Sequence, residues 1–152
     1  MADLKRSVNT EMPALYVSAM HPKSRRTATV DEAEASAWLY LSKPGSSEIE
    51  KDVWLYNRVA APSRAEIRKY HGDAPPAAID FIFGLGTIGT PKKQNIALRW
   101  SDDGEAVSVW LFAELHAFIL PESRHGYCRL IRQKCPWGNP IDLVAYEKHL
   151  KS

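Results

Sequence analysis

Apolar runs cut at short intervals by turn chemistry dominate the stretch from Ile96 to Ile131. Ile96–Trp100 leads into Ser101-Asp102-Asp103-Gly104, and Glu105–Phe112 follows. After Ala113-Glu114 comes Leu115–Leu120, which the segment Pro121–Gly126 breaks before Tyr127–Ile131 closes the set. Short β-prone runs separated by Asp-Gly and Pro…Gly punctuation predict an antiparallel meander. Within it the period of two puts Val107, Val109 and Leu111 on one face and Ala106, Ser108, Trp110 and Phe112 on the other.

Upstream, Ala14–Met20 predicts a strand and His21–Arg26 a turn. Thr29 followed by Glu32 has the capping-box spacing, and the acids and alanines after Val30 predict a helix over Val30–Leu41. That helix would bury Ala33, Ala37 and Leu41, with Val30 and Trp38 nearby; a strand over Ala37–Leu41 is the alternative. Lys43–Ser47 ends the element. Asp52–Val59 predicts a strand with Val53, Leu55 and Val59 on one side. Ser63 and Glu66 form a second capping box, opening a helix Arg64–His71 that Gly72 stops.

Ala77–Phe83 fits either a short helix or a strand. Near the end, Asn139 as N-cap and Pro140 in the first turn predict a helix Ile141–Leu150. Its buried side would carry Ile141, Leu143, Val144 and Ala145, and Lys148 and His149 suit its negative end. Residues 1–11 are polar and expected to fray. The predicted class is α+β: an antiparallel meander sheet of about five to six strands with two or three helices packed on one face, in one domain over residues 1–152.

Composition narrows the function little. A hydrophobic fraction of 45%, a charged fraction of 25% and a net charge of +2 are ordinary for a globular chain and exclude global disorder. Charge alternates in basic and acidic blocks without a run long enough to be a polyelectrolyte tail. Two cysteines make no disulfide framework, and no apolar stretch has signal-peptide or membrane-spanning character. The expectation is a cytoplasmic protein with no membrane association.

Several motifs resemble chemistry, and each has a structural explanation beside it. Gly84-Leu85-Gly86-Thr87-Ile88-Gly89 matches the dinucleotide-binding pattern, but Pro91 falls where the following helix should run. A flexible loop, with an anion site aided by Lys92 and Lys93 as the functional variant, is the better reading. Cys128 with His116 or His125 as base would suit a thiol hydrolase or transferase, although Cys128 lies in an alternating strand where a buried thiol is the simpler account. His116, His125, Cys128 and Cys135 lack the paired spacing of structural zinc sites. Asp102-Asp103 and Asp31, Glu32, Glu34 suit turns and helix starts. No cofactor or metal is expected.

Arg124, Arg129, Arg132 and Lys134, interleaved with His125, Tyr127 and Trp137, form a basic and aromatic strand that could grip nucleic acid. The favoured expectation is instead a small non-enzymatic binding or adaptor protein. Its outer meander face (Trp110, Phe112, Tyr127, Arg129) and the Trp137 loop would contact another protein or a second copy of the chain, because aromatics beside arginine are typical of interface hot spots.

Overall fold

The computed structural model describes residues 15–150; the fraying expected for residues 1–11, and Ala14 of the first expected strand, lie outside the described residues. The described chain is mostly β, in two sheets. The first contains β1 (Tyr16–Met20), β2 (Thr27–Glu32), β3 (Ser36–Ser42) and β4 (Ile49–Asn57), all antiparallel neighbours in that order. The second contains β5 (Ile96–Trp100), β6 (Val107–Leu111), β7 (Glu114–Ile119), β8 (Tyr127–Cys128) and β9 (Asn139–Pro140). Strands β5 to β8 are antiparallel and β9 runs parallel to β8. The α-helices are short: α1 (Arg64–Ile67) and α2 (Leu143–His149).

The meander forms as its alternation predicts. The helix expected over Val30–Leu41 does not: this segment is the β2–β3 hairpin, with the strand alternative over Ala37–Leu41 realised in β3. Helix-forming residues lose here to pairing on both flanks, which buries Ala28, Val30, Ala37, Leu39 and Leu41 completely. Ala33–Ala35 make the turn, closed by Ala33 N–H donating to Ser36 O at 2.9 Å. Thr29 is therefore no cap; its hydroxyl faces that of Ser18 at 3.2 Å. Glu32 turns inward, accepting from Tyr56 Oη at 2.7 Å and from Leu15 N–H at 3.3 Å.

The α1 capping box of Ser63 and Glu66 is present, but the helix ends at Ile67 and buries no residue. Helix α2 starts on Asp142 as N-cap, not Asn139, whose N–H is taken by Gly126 O at 2.9 Å as part of β9. Leu143 and Val144, expected inside, are 58% and 80% exposed. Ile141 and Ala145 do face inward, joined by Tyr146 and Leu150, and pack on the cluster of Phe118 and Leu120.

The core lies between the sheets, and strand β4 joins them. Its free edge bonds to the second sheet's loops: Asp52 N–H to Arg124 O at 3.3 Å, Gly126 N–H to Asp52 O at 2.8 Å, and Trp54 N–H to Trp137 O at 3.0 Å. A side chain at Gly126 would lie 2.5 Å from Phe118 O and 3.0 Å from Val53 Cβ, so this seam needs glycine. The excursion between β4 and β5 folds back over Trp38 and Trp54, bringing Ala77, Ala78 and Ile82 into the same core. Asn57 fastens it: its Oδ1 accepts from Trp54 Nε1 and Ala77 N–H at 2.9 and 2.7 Å, and its Nδ2 donates to Ala77 O at 3.1 Å.

Candidate functional site

The outer face of the second sheet divides in two. On the β7–β8 half, Phe118 stacks on Tyr127 at 4.9 Å between ring centres and meets Tyr146 of α2 at 5.4 Å. Helix α2 thus covers Phe118 and leaves Tyr127 half-buried. Among the described residues no helix covers the β5–β6 half. There the Arg99 guanidinium lies 4.4 Å over the Trp110 ring. Trp110 Nε1 donates to Ser108 Oγ at 3.0 Å, and Ser108 Oγ donates to Arg99 O at 3.3 Å. The half-exposed indole is therefore held in one orientation.

Phe112 is not the last residue of β6, as expected, but the first of a two-residue turn, because Leu111 pairs directly with Glu114. Phe112 and Ala113 have φ of 52° and 67°, the left-handed pattern of a type I′ turn. Such turns favour Asn-Gly; an L-residue with a Cβ pays roughly 1–2 kcal/mol there. The strain holds a ring that is 48% exposed beside Trp110. Together with Gln94, Asn95, Ile96, Ala97 and Arg99, the two aromatics line a concavity of about 360 Å³.

Strand β5 is also the edge of its sheet. Phe112 N–H bonds to Asn95 O and Ser101 N–H to Ala106 O, so the hydrogen-bonded pairs of this ladder fall on odd-numbered β5 positions. By antiparallel geometry the peptide groups of Ile96, Leu98 and Trp100 then point away from β6. Among the described residues no backbone group bonds to those of Leu98 and Trp100, whereas the Ile96 N–H is taken by Lys93 O in the turn before β5. Arg99 was not among the expected contact residues, although the period of two in Ile96–Trp100 could have marked it; edge position is a property of topology and has no local signal.

The other expected contact residues are dispersed. Arg129 is exposed and pairs with Glu114. Trp137 does not join the surface: it is 5% exposed, donates from Nε1 to Pro75 O at 3.1 Å and packs on Phe81. The expected basic row is likewise split, with Arg132 donating to Asp80 O while Arg124 and Lys134 line a separate concavity with His125 and Tyr127.

Cys128 and His116 do come together, at 3.7 Å, but inside the core. Burial pushes the Cys128 thiol up to about 12, and burial pulls the His116 imidazole down to about 4. Both groups are thereby held neutral, opposite to the thiolate–imidazolium pair a nucleophile needs. His125 lies apart, with Nδ1 on Asp52 Oδ1 at 2.8 Å. Among the described residues no three His, Cys, Asp or Glu side chains are arranged to hold a metal ion. The Gly84–Gly89 segment is a loop; Gly86, at φ 74°, brings its carbonyl to Asn57 N–H at 2.8 Å.

No helix among the described residues is long and apolar enough to cross a membrane. Comparison with protein-family models, with curated proteins and with solved structures found no match.

Proposed function

We propose that this chain is a non-enzymatic binding protein of the cytoplasm that receives an extended segment of a partner protein along β5. The segment adds as a further strand to the outward peptide groups of Leu98 and Trp100. Its apolar side chains rest on Trp110 and Phe112, and its acidic side chains meet Arg99, Lys92 and Lys93. Arg99 has no carboxylate partner among the described residues, so its charge is available to a ligand. The two unpaired cysteines support a reducing compartment.

The observation that carries this reading is the Phe112-Ala113 turn. A large aromatic in a left-handed conformation, with its ring half-exposed, carries a backbone cost that Asn-Gly would avoid. Strain of this kind clusters where recognition takes place. A displayed library of random linear peptides, selected against the whole protein, tests it. The expected winners carry an apolar residue and an Asp or Glu two positions apart, on one face of the strand, and lose binding to the Trp110→Ala protein. Winners that ignore Trp110→Ala, or an unenriched library, contradict the reading.

A further inference from the structure

A second open surface lies on the first sheet, facing away from the core. The β4–β5 excursion covers only the Trp38–Trp54 end of that face. The remainder is a groove of about 890 Å³ whose floor crosses β1, β2 and β3. Register places Tyr16 opposite Asp31, and Ser18 opposite Thr29, which is in turn opposite Tyr40. Tyr16, Met20 and Ile49 stand in it 55%, 60% and 47% exposed. Large apolar side chains gathered in one concavity and rimmed by polar groups mark an interaction surface.

The charges in the groove are segregated. Asp73, contributed by the excursion, and Asp31 line it, and neither carboxylate has a cationic partner among the described residues. Arg25, in the β1–β2 turn beside Gly45, is the one cation of the lining. The Tyr40 hydroxyl senses the acidic field: burial first, then Asp31, Asp52 and Asp73, push it up to about 12. Tyr40 itself is fixed by parallel stacking on Trp38, 6.3 Å between ring centres.

We propose that this groove binds a basic, extended segment of a partner protein, an arginine or lysine side chain lying between Asp31 and Asp73 against the rings of Tyr16 and Tyr40. Carboxylates supply charge complementarity and tyrosine faces supply cation–π attraction. Tyr16, Met20 and Ile49 take the apolar neighbours of the cation. The ligand is opposite in charge to the one assigned to β5, and the two sites stand on different sheets. The chain would then bridge an acidic segment and a basic one.

The test is titration of the isotope-labelled full chain with a capped hexapeptide alternating valine and arginine, followed by amide shifts. Matched peptides carry glutamate or glutamine in place of arginine, and free arginine amide reports a small-cation site. Saturable shifts at Tyr16, Thr29, Asp31 and Tyr40 are expected with the arginine peptide, and much weaker ones with the others. Asp31→Asn and Tyr16→Ser, both surface changes, should each weaken binding by roughly five- to ten-fold at an unchanged melting temperature. Equal binding of the glutamate peptide, shifts confined to another face, no shifts, or affinity unmoved by Asp31→Asn overturns the proposal. Arginine amide binding as tightly as the peptide overturns the extended-segment part of it.

Discussion

The imidazole of His116 reaches from one sheet to the carbonyl of Leu55 in the other, Nε2 to O 2.7 Å, and both residues stand outside their ladders. In β3–β4, Ala37 faces Tyr56 and Trp38 faces Trp54, which leaves Leu55 unpaired; in β6–β7, Val109 faces Ala117 and Trp110 faces Leu115, which leaves His116. These are β-bulges, each adding a residue and local twist to its strand. The bulge in β4 frees a buried carbonyl and the bulge in β7 supplies the side chain that satisfies it. Because the second bulge lies opposite the Val109–Trp110 step, the core contact and the outward placement of Trp110 are parts of one arrangement.

Replacing His116 should therefore be costly. His116→Ala leaves the buried Leu55 carbonyl with only the weak Cys128 thiol donor at 3.7 Å and opens a void, a combined loss of about 2–4 kcal/mol by denaturant unfolding. A loss below about 0.5 kcal/mol, the scale of an ordinary surface substitution, would show that the contact contributes nothing.

The same residue sets a pH dependence. Native His116 takes a proton only near pH 4, against 6.5 for an unperturbed imidazole, because burial disfavours the cation. The unfolded chain binds more protons between these values, so stability falls as pH drops from 6.5 to 4, by on the order of 3 kcal/mol. His116→Gln keeps a donor that does not titrate, and its stability curve should be flatter across this window. Parallel curves for the two proteins would contradict the assignment.

Thiol chemistry should separate the two cysteines. Cys128 is sealed in the core with its thiol pushed up to about 12, whereas Cys135 is half-buried and raised less far. In the native protein a thiol-directed reagent should modify Cys135 first and reach Cys128 only at the rate of opening. Comparable rates at both would mean that the core is accessible and would reopen the question of a reactive Cys128.

The β6–β7 turn gives a sharper expectation. The double variant Phe112→Asn, Ala113→Gly places residues suited to type I′ geometry and should stabilise the fold by about 1–2 kcal/mol. The same change removes the exposed ring and should abolish selection of apolar–acidic peptides. A variant that is less stable, or that binds as well as wild type, contradicts a turn strained for recognition.

The meander was legible because one-face burial imposes the period of two on Val107, Val109 and Leu111, and Gly104 marks its first turn. The β2–β3 hairpin was not, since Asp31 to Ala35 are good helix formers and their strand conformation is imposed by neighbours distant in sequence. Trp110 and Phe112 were visible as outward aromatics. That Phe112 forms a turn was hidden, because a type I′ turn normally advertises itself with Asn-Gly. Trp137 was misplaced for a related reason: a Pro-Trp-Gly loop reads as surface, yet Trp137 O bonds Trp54 N–H in the seam and its ring fills the core. The open edge of β5 follows only from strand order.

Amide hydrogen exchange along β5 tests the central claim most directly. In the free protein the amides of Leu98 and Trp100 should exchange faster than those of Ala97 and Arg99, which point toward β6. Addition of a saturating apolar–acidic peptide from the selection should slow exchange at Leu98 and Trp100 by at least about ten-fold, as a new ladder forms. Protection that leaves these amides unchanged while the peptide is bound would show that β5 does not receive a strand.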